Sequence, residues 1–199
     1  MFRKICIYGV GAIGGWMGAG LAALEGVQVS AVARGRTLAA LQANGLLVRR
    51  SADGAAMREA AYPVRASDDP AKLGAQDLVI VAVKAPAMAG VAERMAPLLA
   101  PHTTVLTAMN GVPWWFLQGF GGRLAGTALS SVDPQGRIAR VIAAHHVVGC
   151  VVHASCSIDE PGVIRHRFGN GLIVGEPSGE ATERVRALHA LLQRAGVET

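Results

Sequence analysis

Gly9-Val10-Gly11-Ala12-Ile13-Gly14 is the stretch of this sequence with the clearest chemistry. Its spacing, G-x-G-x-x-G, suits the pyrophosphate of a dinucleotide. Gly9 permits a tight turn, Gly11 lets the backbone approach phosphate oxygens, and Gly14 lets a helix sit close on a sheet. A helix opening at Ala12 presents N–H groups without intrahelical partners and a partial positive charge. Because 25 of 199 residues are glycine, the spacing alone is a weak signal. The flanking residues strengthen it. Residues 5–8 are β-branched or apolar and read as a buried strand, and residues 12–24 read as a helix.

Three further polar residues fall where such a ligand would need them. Residues 27–33 read as a second strand, which completes a βαβ unit. An NAD site places Asp or Glu at the end of that strand, on the ribose 2′-OH. Here the sequence has Arg34, then Arg36, with no acid beside them. A carboxylate repels a 2′-phosphate, whereas a guanidinium binds it through paired, charge-assisted hydrogen bonds. The implied cofactor is NADP, against the plainer alternative of two solvated arginines at a helix start. Residues 77–83 form an uninterrupted apolar run, the signature of a central parallel strand covered on both faces. Lys84 follows at once, and Pro86 starts a helix to about residue 99. Residues 103–108 read as another strand, with Asn110 just beyond it and an apolar helix start at Trp114, Trp115 and Phe116. Ligands of open α/β sheets bind outside the carboxyl ends of strands. The glycine loop, Arg34, Lys84 and Asn110 are all expected at that edge.

The elements that position these residues make an α/β protein: a Rossmann-type, doubly wound and mostly parallel sheet with additional hairpin strands. Residues 37–43 read as a short helix closed by Asn44-Gly45. Residues 46–50 and 57–65 read as a hairpin or meander around Asp53-Gly54 at the sheet edge. Residues 137–143 are helical after a turn at 133–136. Residues 147–158 and 162–168 are β-rich, joined by a turn at 159–162, and 171–175 read as a further short strand. Residues 181–194, with Val185, Leu188, Leu191 and Leu192 on one face, form an amphipathic helix, and Gly196-Val197 starts a strand. The expected division is a nucleotide-binding domain over 1–178, with 179–199 a terminal helix and connection.

Composition narrows the class. Half the residues are hydrophobic and 17% are charged, which excludes a disordered chain. The net charge of +5 is scattered, so it requires no nucleic-acid surface. Residues 5–24 carry no charge and follow Arg3-Lys4, which raises an export signal or a membrane span. Six glycines inside the run argue against an apolar helix, since each costs about 1 kcal/mol in a helix interior. Three cysteines, Cys6, Cys150 and Cys156, lie in apolar runs and fit buried thiols of a cytoplasmic protein. His145, His146, Cys150, His153 and Cys156 crowd together, but strand alternation sends Cys150 and His153 to opposite faces, and no metal is expected.

The residues resemble the ketopantoate reductases (2-dehydropantoate 2-reductases), in their amino-terminal nucleotide-binding domain. The resemblance rests on the glycine loop through Gly15, on Ala33-Arg34-Gly35, Val83-Lys84-Ala85 and Asn110-Gly111-Val112-Pro113-Trp114-Trp115. Its most distinctive part is the run from Glu160-Pro161-Gly162 to His166 together with Gly175-Glu176. It implies NADPH-dependent reduction of the 2-keto group of ketopantoate, a step toward pantothenate and coenzyme A. Carried over, Gly9, Val10, Gly11, Ala12, Ile13 and Gly14 cradle the pyrophosphate and Arg34 holds the 2′-phosphate. Lys84 and Asn110 sit beside the nicotinamide, Asn110 also touches the substrate, and the segment around Ser155 lies by the cofactor. Met109 departs from the Gln frequent in the family. The resemblance places the general-acid lysine in a helical carboxyl domain beyond Thr199, so no catalytic residue is assigned within the chain and its isolated turnover is expected to be weak. A homodimer is compatible with this reading. Two alternatives share the motifs: a dehydrogenase of another 2-keto acid, and a non-enzymatic NADP(H)-binding module.

Overall fold

The computed structural model of the chain describes residues 2–50, 57–119 and 122–199. It opens with β1 (Lys4–Tyr8), α1 (Ala12–Ala22), β2 (Gln28–Val32) and α2 (Gly35–Asn44). Strands β3 (Leu46–Arg50), β4 (Arg58–Tyr62), β5 (Arg65–Ser67) and β6 (Leu78–Val81) follow, then α3 (Met88–Met95) and β7 (Thr104–Ala108). Helix α4 (Arg137–Val141), β8 (Val147–Glu160), β9 (Val163–Gly175) and α5 (Glu183–Arg194) complete it. Among the described residues these strands form one sheet in the order β4-β3-β9-β8-β7-β6-β1-β2-β5. All pairings from β5 across to β8 are parallel. From β1 the chain passes to β2, lays β3 and β4 at the far edge, returns to place β5 beside β2, and then sets β6, β7 and β8 on the other side of β1. The sheet is doubly wound, and its switch point lies between β1 and β6.

Alternation along the central strands explains why they are apolar throughout. Ile5 and Ile7 of β1 enter one core cluster, with Trp16 and Met17 of α1, Leu41 of α2 and Leu188 of α5. Cys6 and Tyr8 enter the other, with Met88, Val91 and Met95 of α3 and Ile138 of α4. Strand β6 divides the same way, Leu78 and Ile80 against Val79 and Val81. Helix α5 starts at Thr182, whose hydroxyl accepts the Val185 N–H at 3.3 Å. It closes over the same core as α1, and residues 176–182 are its link from β9. No helix among the described residues is long and apolar enough to cross a membrane. Residues 5–24 are a strand, a turn and an 11-residue helix.

Several expectations change at element boundaries. The hairpin expected over 46–50 and 57–65 is present as antiparallel β3 and β4, with β4 at the sheet edge. Its turn at Asp53-Gly54 lies outside the described residues. Pro63, which has no N–H to give a ladder, ends that run, and β5 crosses to the opposite edge beside β2. The helix expected over 86–99 keeps α geometry only through α3, with short 3-10 turns at Ala85–Ala87 and Ala96–Leu98, the latter holding Pro97. Trp114 to Phe116 start no helix: turns held by Phe116 N–H to Pro113 and Gln118 N–H to Trp115 replace it. Gly119 and Gly122 follow too soon for a helix to propagate. The runs 162–168 and 171–175 are one strand, β9, because Gly169 at φ +72° is absorbed as an irregularity opposite β8. The strand start at Gly196-Val197 is a single bridge, Gly171 with Glu198.

Candidate nucleotide-binding site

At the switch point the ends of β1, β2 and β6 open into a cleft of about 710 Å³, closed on one side by α3. Gly9, Val10, Gly11, Arg34, Lys84 and Arg94 are among its walls. The turn out of β1 depends on missing side chains. Gly9 has φ +97°, and a Cβ there would lie 2.5 Å from Val83 Cγ1 and 2.9 Å from the Ala82 carbonyl oxygen. A Cβ on Gly14 would lie 2.2 Å from the Gly9 carbonyl oxygen, so the helix starts in contact with its own entry turn. Gly11 differs: a Cβ there meets nothing within 4 Å. The protein therefore fixes Gly9 and Gly14 sterically, while Gly11 stays clear on the side of the cleft.

Gly15 N–H donates to the Gly11 carbonyl at 2.8 Å, the first bond of α1. The N–H groups of Ala12, Ile13 and Gly14 precede it and take no intrahelical partner. No acidic residue occupies that turn, so its partial positive charge is not offset locally. Of the expected loop residues, Gly9, Val10 and Gly11 reach the cleft wall, and Ala12, Ile13 and Gly14 stand behind them in the first turn of α1.

Arg34 follows β2 in extended conformation as the N-cap residue of α2. It is exposed and lines the cleft together with Thr37, whereas Arg36 lies outside the lining. Lys84 follows β6 in the same manner, extended before the turn at Ala85–Ala87. Among the described residues neither Arg34 nor Lys84 takes part in an ion pair. Tyr8 lies at the floor. Burial pushes its phenol up, while the nearby Arg94 and Arg34 guanidinium groups pull it down.

Asn110 and Ser155 are placed differently from this group. Asn110, past the end of β7, lines a small separate cavity of about 50 Å³ with Met88, Met109 and Trp114. Its amide extends the sheet sideways: Oδ1 accepts the Val152 N–H at 2.8 Å and Nδ2 donates to the Val152 carbonyl at 3.1 Å. That clamp on β8 was not legible from the sequence. Ser155 pairs with Phe168 on the hairpin. It lies five residues beyond Cys150, the last β8 residue paired with β7, or about 17 Å along the strand. It is not among the residues lining the cleft.

Tyr8 and Arg94 were missed as cleft residues. The available signal was Ala87, Gly90, Val91 and Arg94, at i, i+3, i+4 and i+7, the spacing of one helical face. The cysteines are free and do no chemistry at the cleft. Burial pushes the Cys6 and Cys150 thiols up to about 12 and Cys156 to about 11, so all stay protonated at neutral pH. His146 is held by the Thr103 carbonyl, 2.8 Å from its Nδ1, and burial lowers its pKa.

Comparison with known proteins fits this geometry. A family model described as ketopantoate reductase PanE/ApbA matches residues 5–115, from β1 through β7 to Trp115. The chain belongs to this family. A 2-dehydropantoate 2-reductase of Mesorhizobium japonicum is 47% identical over 195 residues, covering 98% of this chain and 58% of its own length. A crystal structure from Ralstonia solanacearum MolK2 has 52% identity and a TM-score of 0.90, covering all of this chain and 60% of its own. The 2-dehydropantoate 2-reductase of Porphyromonas gingivalis W83 has 25% identity and a TM-score of 0.75, covering 99% of this chain and 63% of its own. The chain thus spans about three fifths of the length of these family relatives.

Proposed function

We propose that this chain is the nucleotide-binding part of an NADPH-dependent reductase of a 2-keto acid, with 2-dehydropantoate the substrate and pantoate the product. The observation that carries the reading is the cleft itself. A glycine turn with an open Gly11 shares the cleft with Arg34, a cation without an ion-pair partner among the described residues, where an NAD site would carry a carboxylate. The names of the relatives supply the substrate.

The cleft fits the cofactor by size and by its donors. Val10 and Gly11 with the first turn of α1 would hold the pyrophosphate, Arg34 and Thr37 the adenosine 2′-phosphate, and Lys84 the side toward the nicotinamide. When bound, NADPH supplies a hydride for a carbonyl carbon. The chain's own part is to bind and orient. Backbone N–H groups take the phosphate oxygens, and the small residues of the turn let them approach without a side chain between. Asn110 holds β8 against the end of β7, which fixes the wall on the substrate side. The alkoxide formed by reduction needs a proton donor. We assign none among residues 1–199 and expect binding without efficient turnover from this chain.

A fluorescence titration with NADPH and, separately, NADH tests the cofactor. NADPH should bind more tightly, and Arg34→Ala should weaken it roughly ten- to hundredfold, the loss of one or two charge-assisted hydrogen bonds. Equal affinity for both nucleotides in the unaltered chain contradicts the reading. Oxidation of NADPH in the presence of 2-dehydropantoate, followed in a protein of the relatives' full length, tests the substrate.

A further inference from the structure

Arg94 stands at the carboxyl end of the face that α3 turns toward the cleft. Residues 87, 90, 91 and 94 share that face, and all four line the cleft. The first two are Ala87 and Gly90, and a Cβ on Gly90 would meet nothing within 4 Å. The helix face is therefore low along its first turn and ends in a cation.

The position of that cation is set by a chain of contacts independent of the glycine loop. Arg94 Nη2 donates to the Asp68 carbonyl at 2.5 Å. Asp68 directly follows β5, whose last residue, Ser67, pairs with Val32 of β2. The Ser67 carbonyl also accepts the Ala33 N–H at 3.1 Å, and Arg34 is the next residue. Two guanidinium groups from distant parts of the sequence are thus brought to the carboxyl ends of adjacent strands, in one cleft. Arg94 bonds to a carbonyl and takes part in no ion pair among the described residues, so its charge is not neutralised there.

We infer that Arg94 is a second specificity-determining residue, which with Arg34 forms a two-armed clamp on the 2′-phosphate of the adenosine ribose, the low face at Ala87 and Gly90 leaving room for the adenine. The inference rests on the assignment of the cleft to NADP. One cation suffices to attract a dianion, but two arms from different elements also fix its position. The bond to Asp68 restrains the side chain before the nucleotide arrives, which lowers the ordering cost of binding.

The test compares Arg94→Ala, Arg34→Ala and the double variant by titration with NADPH and with NADH, each beside a thermal melt. Arg94→Ala should weaken NADPH roughly ten- to hundredfold and leave NADH within about twofold. The double variant should bind the two nucleotides alike. Loss of both nucleotides to the same degree, or of neither, overturns the inference and leaves Arg94 as a tie between α3 and β5. Preference for NADPH that survives Arg94→Ala and is lost in Arg34→Ala overturns it while the proposed function stands. Absence of preference in the unaltered chain overturns both. Should Arg94→Ala fail to fold, Arg94→Gln, which retains a donor for the Asp68 carbonyl, carries the same comparison.

Discussion

At the cleft the chain turns on glycines and, among the described residues, leaves Arg34, Lys84 and Arg94 without ion pairs, whereas along the β8–β9 hairpin Asp159, Glu160 and Arg165 are matched. Arg49 bridges Glu59 at 2.6 Å and Asp159 at 3.2 Å, and Arg165 meets Asp159 at 2.6 Å. Trp16 stacks on His166 with ring centroids 5.8 Å apart. Nearer the sheet, Arg184 pairs with Glu176 at 2.5 Å and donates to the Val147 carbonyl at 3.1 Å. One region is shaped by backbone and held open for a ligand; the other is held shut by its own side chains. Uncompensated charge in a concave region signals a partner, and compensated charge signals structure.

Substitutions at two glycines three residues apart, Gly11 and Gly14, should break this contrast most sharply. Gly14→Ala drives a methyl group into the Gly9 carbonyl, where only backbone could give way, and should cost about 3 kcal/mol or more in urea unfolding. Gly11→Ala has space around it and should stay within about 1 kcal/mol of the parent. Its methyl group would instead stand where phosphate oxygens approach, so NADPH affinity should drop at least roughly tenfold by titration.

On the structural side, Arg184→Ala strands the Glu176 carboxylate, whose side chain is 6% exposed. Arg184 itself is 30% exposed, so the cost is smaller than for a sealed pair, about 2 kcal/mol by denaturant midpoint. Nucleotide affinity in the surviving folded protein should not move.

Acid should act on the same side of the comparison, in two steps. Burial lowers the pKa of His146 from 6.5, so below that value the unfolded chain takes up a proton that the folded one resists, and stability falls. Burial pushes Glu176 up, but Arg184 and the Thr182 hydroxyl outweigh it and hold the carboxyl below 4.5. Its contribution is present above 4.5 and is lost as pH falls through the folded value. Thermal midpoints measured against pH should decline gently below about 6.5 and steeply below about 4.5. His146→Gln should remove the first decline alone.

The cleft was legible in the sequence because its parts are local. Gly9, Gly11 and Gly14 sit in one short stretch, and Arg34 and Lys84 each directly follow a run that reads as a strand. Helical spacing put Arg94 on one face with Ala87, Gly90 and Val91, but its anchoring to Asp68 was not legible, since that depends on β5 reaching the edge beside β2 and nothing in Arg65–Ser67 announces a strand. The hairpin was read as separate pieces because Gly169-Asn170-Gly171 has the composition of a turn. Its irregular pairing with β8 is a tertiary outcome. Asn110 was recognised as a residue at a strand end, but its bonds to Val152 depend on β8 running past β7.

Hydrogen–deuterium exchange of the chain with and without NADPH tests the central claim most directly, since it reports where the nucleotide sits. The account predicts slowed exchange at residues 10–15, at the start of α2 around Arg34 and along the first turn of α3, with the hairpin around Ser155 unchanged. Protection centred on the β8–β9 hairpin, or none at the glycine turn under saturating NADPH, would contradict it.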